Sequence, residues 1–231
     1  MNKHKAALKT ALPHTIPVLS GYIVLGAAYG ILMNNQGISL FWIGFSSIFI
    51  YAGSMQFVTV TLLGAGFDLS SAFLMTIMVN ARHLFYSISF LQKYSNMGFI
   101  KPYLIFSLTD ETFSLLCDLE VPEGISRKWF YFYTSLLNHI YWISGSLLGG
   151  ILGGLLQLEI KGLDFVLTAL FLVIFIGMWK SSKNRIPAII GVISSLMCRI
   201  IFGADDFIIP SMILILLLVT IFRKALERRK L

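Results

Sequence analysis

The run Ile213-Leu214-Ile215-Leu216-Leu217-Leu218-Val219 decides the fold of this chain. No polar residue interrupts it. Strands that cross a membrane as a closed barrel alternate apolar and polar residues over about ten positions. A continuous run instead fits a helix whose backbone groups bond one another, as lipid requires. Working outward, similar runs fill most of the sequence. Apolar residues make up 57 % of the chain, charged residues only 13 %, and the mean hydropathy is +0.81. Soluble domains carry about 25 % charged residues, and one of 231 residues could not hide so much apolar surface. A bilayer acts as the solvent for it. The reading is an all-α, polytopic helical membrane protein, one integral membrane domain over residues 1–231.

A span needs about 20 mostly apolar residues. About eight candidates are found, at 15–33, 38–63, 69–91, 102–117, 129–156, 164–179, 186–202 and 207–222. The second and fifth exceed a straight crossing, so each is expected to tilt or to be discontinuous. The fourth and seventh are short and carry charges. The N-terminal stretch 1–15 is basic, holds Pro13, and reads as no cleavable signal.

The net charge is +7. Its basic residues sit at the two ends and between apolar runs, which is the pattern of topology and not of a nucleic-acid surface. With eight spans, one side collects Lys3, Lys5, Lys9, Arg127, Lys128, Lys180, Lys183, Arg185, Arg223, Lys224, Arg228, Arg229 and Lys230. The other collects Lys93, Lys101 and Lys161. This bias puts both termini in the cytoplasm of a multi-pass protein. Lys93 and Lys101 fit it badly, and seven spans would result from a re-entrant segment there. The basic tail from Arg223 to Lys230 reads as an anchor near anionic lipid. Cys117 and Cys198 share no motif, so neither a metal site nor a disulfide is expected.

Charges inside spans are costly and default to functional hypotheses. Asn80, Arg82 and His83 lie in the third span, Asp110 and Glu111 in the fourth, and Arg199 in the seventh; Asp205 and Asp206 follow at an interface. The two arginines balance the two intramembrane carboxylates. One reading is a structural ion pair of Arg82 with Asp110 or Glu111. The other is handling of substrate or protons, and the two can coexist. Arg82 and Tyr86, four apart, share a face. Asp110 and Glu111, as neighbours, are rotated by about 100° and reach different partners. Arg82 offers a planar donor fork to a carboxylate, and Asp110 or Glu111 can accept from an ammonium. His83 either carries a proton or serves as a helix contact.

Glycines form a second pattern. Gly21, Gly26 and Gly30 punctuate the first span, and Gly145, Gly149 and Gly153 recur every fourth residue in the fifth. Small residues so spaced let helices approach closely; helix breaks beside a binding site are the alternative. Gly53, in the stretch Ala52-Gly53-Ser54 with Gln56 nearby, suits the second explanation.

Several stretches together resemble one family. They are Gly-Tyr-Ile-Val-Leu-Gly-Ala-Ala-Tyr-Gly at 21–30, Tyr-Ala-Gly-Ser-Met-Gln-Phe at 51–57, Val-Asn-Ala-Arg-His-Leu-Phe-Tyr at 79–86 and Leu-Thr-Asp-Glu-Thr-Phe at 108–113. Trp-Ile-Ser-Gly-Ser-Leu-Leu-Gly-Gly at 142–150 and Gly-Leu-Asp-Phe-Val-Leu-Thr-Ala-Leu-Phe at 162–171 also fit. In this order they resemble the AzlC family. The resemblance implies the large subunit of a bacterial exporter of branched-chain amino acids, paired with a small hydrophobic AzlD-type membrane subunit. It implies functional weight at Gln56, Asn80, Arg82, His83, Asp110 and Glu111. From Ile186 onward the match is weaker, so Arg199 rests on its membrane position alone.

No Gly-x-x-x-x-Gly-Lys-Ser/Thr loop occurs, so ATP is not expected to drive transport. An ion gradient, with protons as the ion, or a substrate gradient is expected instead. No cofactor is implied. An intramembrane enzyme would need a nucleophile–base pattern or metal-ligand spacing, and neither is visible. A scaffold subunit without its own pathway is the remaining alternative.

Overall fold

The computed structural model describes residues 3–64, 66, 68–119, 121–156, 168, 172, 175–176, 179–180 and 185–222. The sixth candidate span and the basic tail lie largely or wholly outside them. The described elements are helices: α1 Lys3–Asn35, α2 Leu40–Phe49, α3 Gly53–Gly64, α4 Leu69–Phe90, α5 Lys101–Phe106, α6 Asp110–Asp118, α7 Arg127–Leu156, α8 Ile186–Asp206 and α9 Ile208–Ile221. The chain divides into two compact units, residues 1–167 and 168–231. By length and composition, Lys3–Asn35 and Ile186–Gly203 are able to cross a membrane.

α1 begins well before the expected first span. Ala6, Ala7 and Ala11 favour helix and are buried, the last two in a core with Phe90, Tyr94, Leu104, Leu116, Phe130 and Tyr131. Further along, Tyr22, Gly26, Tyr29, Gly30 and Met33 continue a buried stripe at helical spacing.

That stripe packs on α7, and the two helices run in the same direction. His4 Nδ1 lies 3.0 Å from the Tyr133 hydroxyl, Thr15 Oγ1 3.1 Å from that of Tyr141. Higher up the backbones themselves touch. A Cβ added to Gly26 would lie 2.9 Å from Ser146 N, and one on Gly145 2.5 Å from Tyr22 O. At Gly30 and Gly149 it would collide with the opposite backbone, at Ser146 O and Ala27 O. Gly153 fits against Asn34 Cβ at 3.1 Å. The two helices thus approach closely at these residues, and α7 is unbroken through all of those it contains. Gly21 differs, since nothing would meet a Cβ there. The parallel run also sets Lys3 and Lys5 at the same end of the pair as Arg127 and Lys128.

The second candidate span is broken, between α2 and α3. Tyr51, inside the break, has φ 43°, a left-handed conformation costly for a residue with a side chain. Its ring is held by stacking on His139, centroids 4.1 Å apart. The fourth candidate is broken too, at 107–109. There Thr109 turns extended and its hydroxyl accepts from Thr112 N at 3.3 Å, capping α6. Asp110 and Glu111 occupy the first turn of α6, where the helix dipole favours negative charge. At its other end, Lys93 Nζ donates to Leu116 O and Cys117 O at 3.0 and 3.2 Å. The lysine that fits the charge bias poorly thus closes a helix C-terminus.

In the second unit α8 packs on α9. Gly203, with φ 85°, kinks the end of α8. Arg185 lies over the Trp179 ring, 5.2 Å from its centroid.

Candidate functional site

Two adjacent carboxylates on α6 organise the polar interior of the first unit. Asp110 faces α4: its Oδ2 is 3.0 Å from Arg82 Nη2, and its Oδ1 accepts from the Tyr86 hydroxyl at 2.7 Å. Arg82 Nη2 also donates to Ser54 Oγ, at the start of α3. The 82/86 spacing expected to share a face does so, and both side chains converge on one carboxylate.

Glu111 faces α1. Its Oε2 accepts from the Tyr22 hydroxyl at 2.7 Å, and the same phenol lies 2.7 Å from Thr109 Oγ1. Among the described residues no cation pairs with Glu111. Thr109 Oγ1 donates to Thr112 Oγ1 at 3.1 Å, and Asn138 Nδ2 of α7 donates to Thr112 Oγ1 at 3.0 Å. The rotation between neighbouring residues gives the two carboxylates separate surroundings, one cationic and one built of hydroxyls.

A third polar group lies on the α2–α3 side of α7. Gln56, buried to 1 % exposure, accepts from Trp142 Nε1 at 2.9 Å through Oε1. Its amide nitrogen donates to Ser47 Oγ at 3.4 Å. The Trp142 ring packs edge-on against Tyr22, and against the Cβ position of Gly53 at 3.1 Å. His139 places Nε2 3.3 Å from Ser47 O and Nδ1 3.2 Å from the Tyr103 hydroxyl. Trp142→Phe keeps the ring contacts and removes the indole donor to Gln56. It is expected to cost about 1–2 kcal/mol of stability, read as a lowered melting midpoint of the purified protein.

The remaining expected residues are less central. His83 touches the Tyr86 ring edge-on, centroids 5.9 Å apart. Asn80 keeps a buried Oδ1 with no hydrogen-bond partner among the described residues. Arg199 belongs to the second unit, where its guanidinium lies 5.7 Å from the Phe207 ring centroid. The side chains of Asp205 and Asp206 lie outside the description. Sequence reasoning passed over Tyr22, Asn138 and His139. The rule that flagged Asn80 and His83, polar groups inside a span, would have found Asn138 and His139. Thr109-Asp110-Glu111 is moreover a helix-start signature, which signals the break in the fourth span.

Among the described residues no cluster of His, Cys, Asp and Glu suits a metal ion. What the arrangement can do is bind a dipolar solute. A guanidinium and a carboxylate lie side by side, next to two helix breaks whose backbone groups are not all committed to helical bonds.

A family model described as AzlC protein matches residues 17–156. The chain is 46 % identical over 231 residues to the branched-chain amino acid transport protein AzlC of Bacillus subtilis, covering 99 % of this chain and 91 % of that protein. It is 40 % identical over 227 residues to an uncharacterized membrane protein of Helicobacter pylori, covering 98 % and 100 %. With the inner membrane protein YgaZ of Escherichia coli the identity is 29 % over 180 residues, covering 74 % and 72 %. No solved structure matches this chain.

Proposed function

The chain belongs to the AzlC family, and from that membership we propose that it is the large subunit of a secondary transporter exporting branched-chain amino acids. It crosses the bacterial cytoplasmic membrane about eight times, with both termini inside. It works with a small hydrophobic AzlD-type partner.

The observation that carries the reading is the Arg82–Asp110 pair, 3.0 Å apart beside two broken helices. A neutral amino acid is a zwitterion. Entering this pair, it offers its carboxylate to Arg82 and its ammonium to Asp110, replacing one ion pair by two. The pair closes on itself when the site is empty, so no charge is left unpaired in lipid. The structural and substrate-handling readings of Arg82 thereby become one.

The test is efflux from dipeptide-loaded bacteria lacking their own exporters, with this chain alone, the small partner alone, and both. Efflux of leucine, isoleucine and valine is expected only with both. An assembled pair without efflux refutes the proposal. Arg82→Lys keeps the charge but loses the planar fork, and is expected to lower efflux about tenfold or more, as for a lost bidentate bond of about 1.5–3 kcal/mol. Normal efflux at normal expression removes the carboxylate clamp.

A further inference from the structure

Asp110 and Glu111 are neighbours, yet their surroundings assign them different work. Asp110 is held by a guanidinium and a phenol. That neighbourhood suits a carboxylate which stays charged. Glu111 pairs with no cation among the described residues, its side-chain partner being the Tyr22 hydroxyl, and an unpaired carboxylate in such a place is costly. Its cost vanishes when it takes up a proton.

The chain of oxygens attached to Glu111 suits both of its forms. Its spacings are 2.7 Å from Glu111 to Tyr22, 2.7 Å from Tyr22 to Thr109 and 3.1 Å from Thr109 to Thr112. Each hydroxyl donates once and accepts as well. With Glu111 ionised, Tyr22 donates to it and Thr109 to Tyr22, while Thr112 accepts from Asn138 Nδ2. With Glu111 protonated, its O–H donates to Tyr22, Tyr22 to Thr109, and Thr109 to Thr112. The Thr112 proton then needs an acceptor. Asn138 supplies one: it is fully buried, its Nδ2 already bonds Thr112, and its Oδ1 has no partner among the described residues. Turning that amide presents Oδ1 to Thr112. Apart from this turn, only hydrogens need move.

We infer that Glu111 is the proton-binding group of the transport cycle, and that the Tyr22–Thr109–Thr112–Asn138 chain holds its charged and neutral forms in turn. This rests on the transporter reading above. The step is one proton taken from water on one side of the membrane and released to water on the other, with no other bond made or broken. The groups facing Glu111 are Tyr22 from α1, Tyr51 from the α2–α3 break, Tyr86 from α4, and Asp110 with its partner Arg82. α7 presents Asn138, which does not titrate, and His139, which stacks on Tyr51.

The full-length chain and its small partner are reconstituted in vesicles and assayed in two modes. One is net leucine efflux driven by a proton gradient; the other is leucine–leucine exchange without a gradient. In Glu111→Gln, whose amide resembles the neutral acid, net efflux is expected to fall about a hundredfold while exchange continues. Unchanged net efflux overturns the inference. So does loss of both modes in a folded variant, which would make Glu111 part of the leucine site. Infrared difference spectra supply a readout independent of transport. A protonated-carboxyl band should appear on acidification of the wild-type protein, and Tyr22→Phe should move its midpoint by about one pH unit. No such band, or one indifferent to Tyr22, overturns the inference even where Glu111→Gln does not fold. Wild-type protein inactive in both modes counts against leucine transport itself, and the band still decides the titration of Glu111.

Discussion

Arg82→Ala and Asp110→Ala are each expected to abolish export and to destabilise the protein by about 3 kcal/mol. The side chains are 26 % and 13 % exposed, so removing either partner leaves the other as an uncompensated charge in a poorly solvated place. The double variant Arg82→Ala/Asp110→Ala removes both charges and is expected to be more stable than either single one. Unfolding of the purified proteins in detergent measures the coupling through a double-mutant cycle. If the two single costs simply add, the pair does not hold α4 to α6. Export separates structure from transport. It should stay lost in the double variant, because a zwitterion then finds neither partner. Its return would reduce Arg82 and Asp110 to architecture.

Gly149→Ala is expected to be comparably damaging, although it adds one methyl group. The new Cβ meets the carbonyl oxygen, Cα and carbonyl carbon of Ala27. Backbone cannot rotate aside as a side-chain tip can, so α1 and α7 must separate along the seam that organises the first unit. Overpacking of this kind costs about 3 kcal/mol, read as loss of monodisperse protein in size-exclusion chromatography of detergent extracts. Gly21→Ala is the comparison: nothing meets a Cβ there, and alanine favours helix by about 1 kcal/mol over glycine. Equal yields from the two variants would contradict the close approach.

The sequence was most informative where one physical rule acted alone. Unbroken apolar runs announce helices, and the third, fifth, seventh and eighth candidate spans lie close to α4, α7, α8 and α9. The every-fourth-residue spacing of Gly145, Gly149 and Gly153 fits close packing or a helix break, and it does not say that α1 runs beside it, because contact across more than a hundred residues leaves no local mark. Arg82 and Asp110 drew attention as charges in apolar surroundings. Which carboxylate would take the guanidinium was open, since the direction in which α6 leaves the 107–109 break decides it. Tyr22 was the hardest to foresee. A tyrosine in an apolar span is ordinary, and only the approach of α1 to α6 makes its hydroxyl the partner of Glu111.

The touching backbones of α1 and α7 carry a mechanical consequence. A slide of less than a full turn, about 5.4 Å, would carry the facing glycines out of register and set side chains against the opposite backbone. The pair can tilt as a mast tilts, but it cannot telescope gradually. Changes of shape in the first unit are left to the short pieces on either side of the two breaks: α2 with α3, and α5 with α6. These pieces carry Ser54, Asp110 and Glu111, whereas Arg82 rides on α4 and Tyr22 and Asn138 stand on the fixed pair.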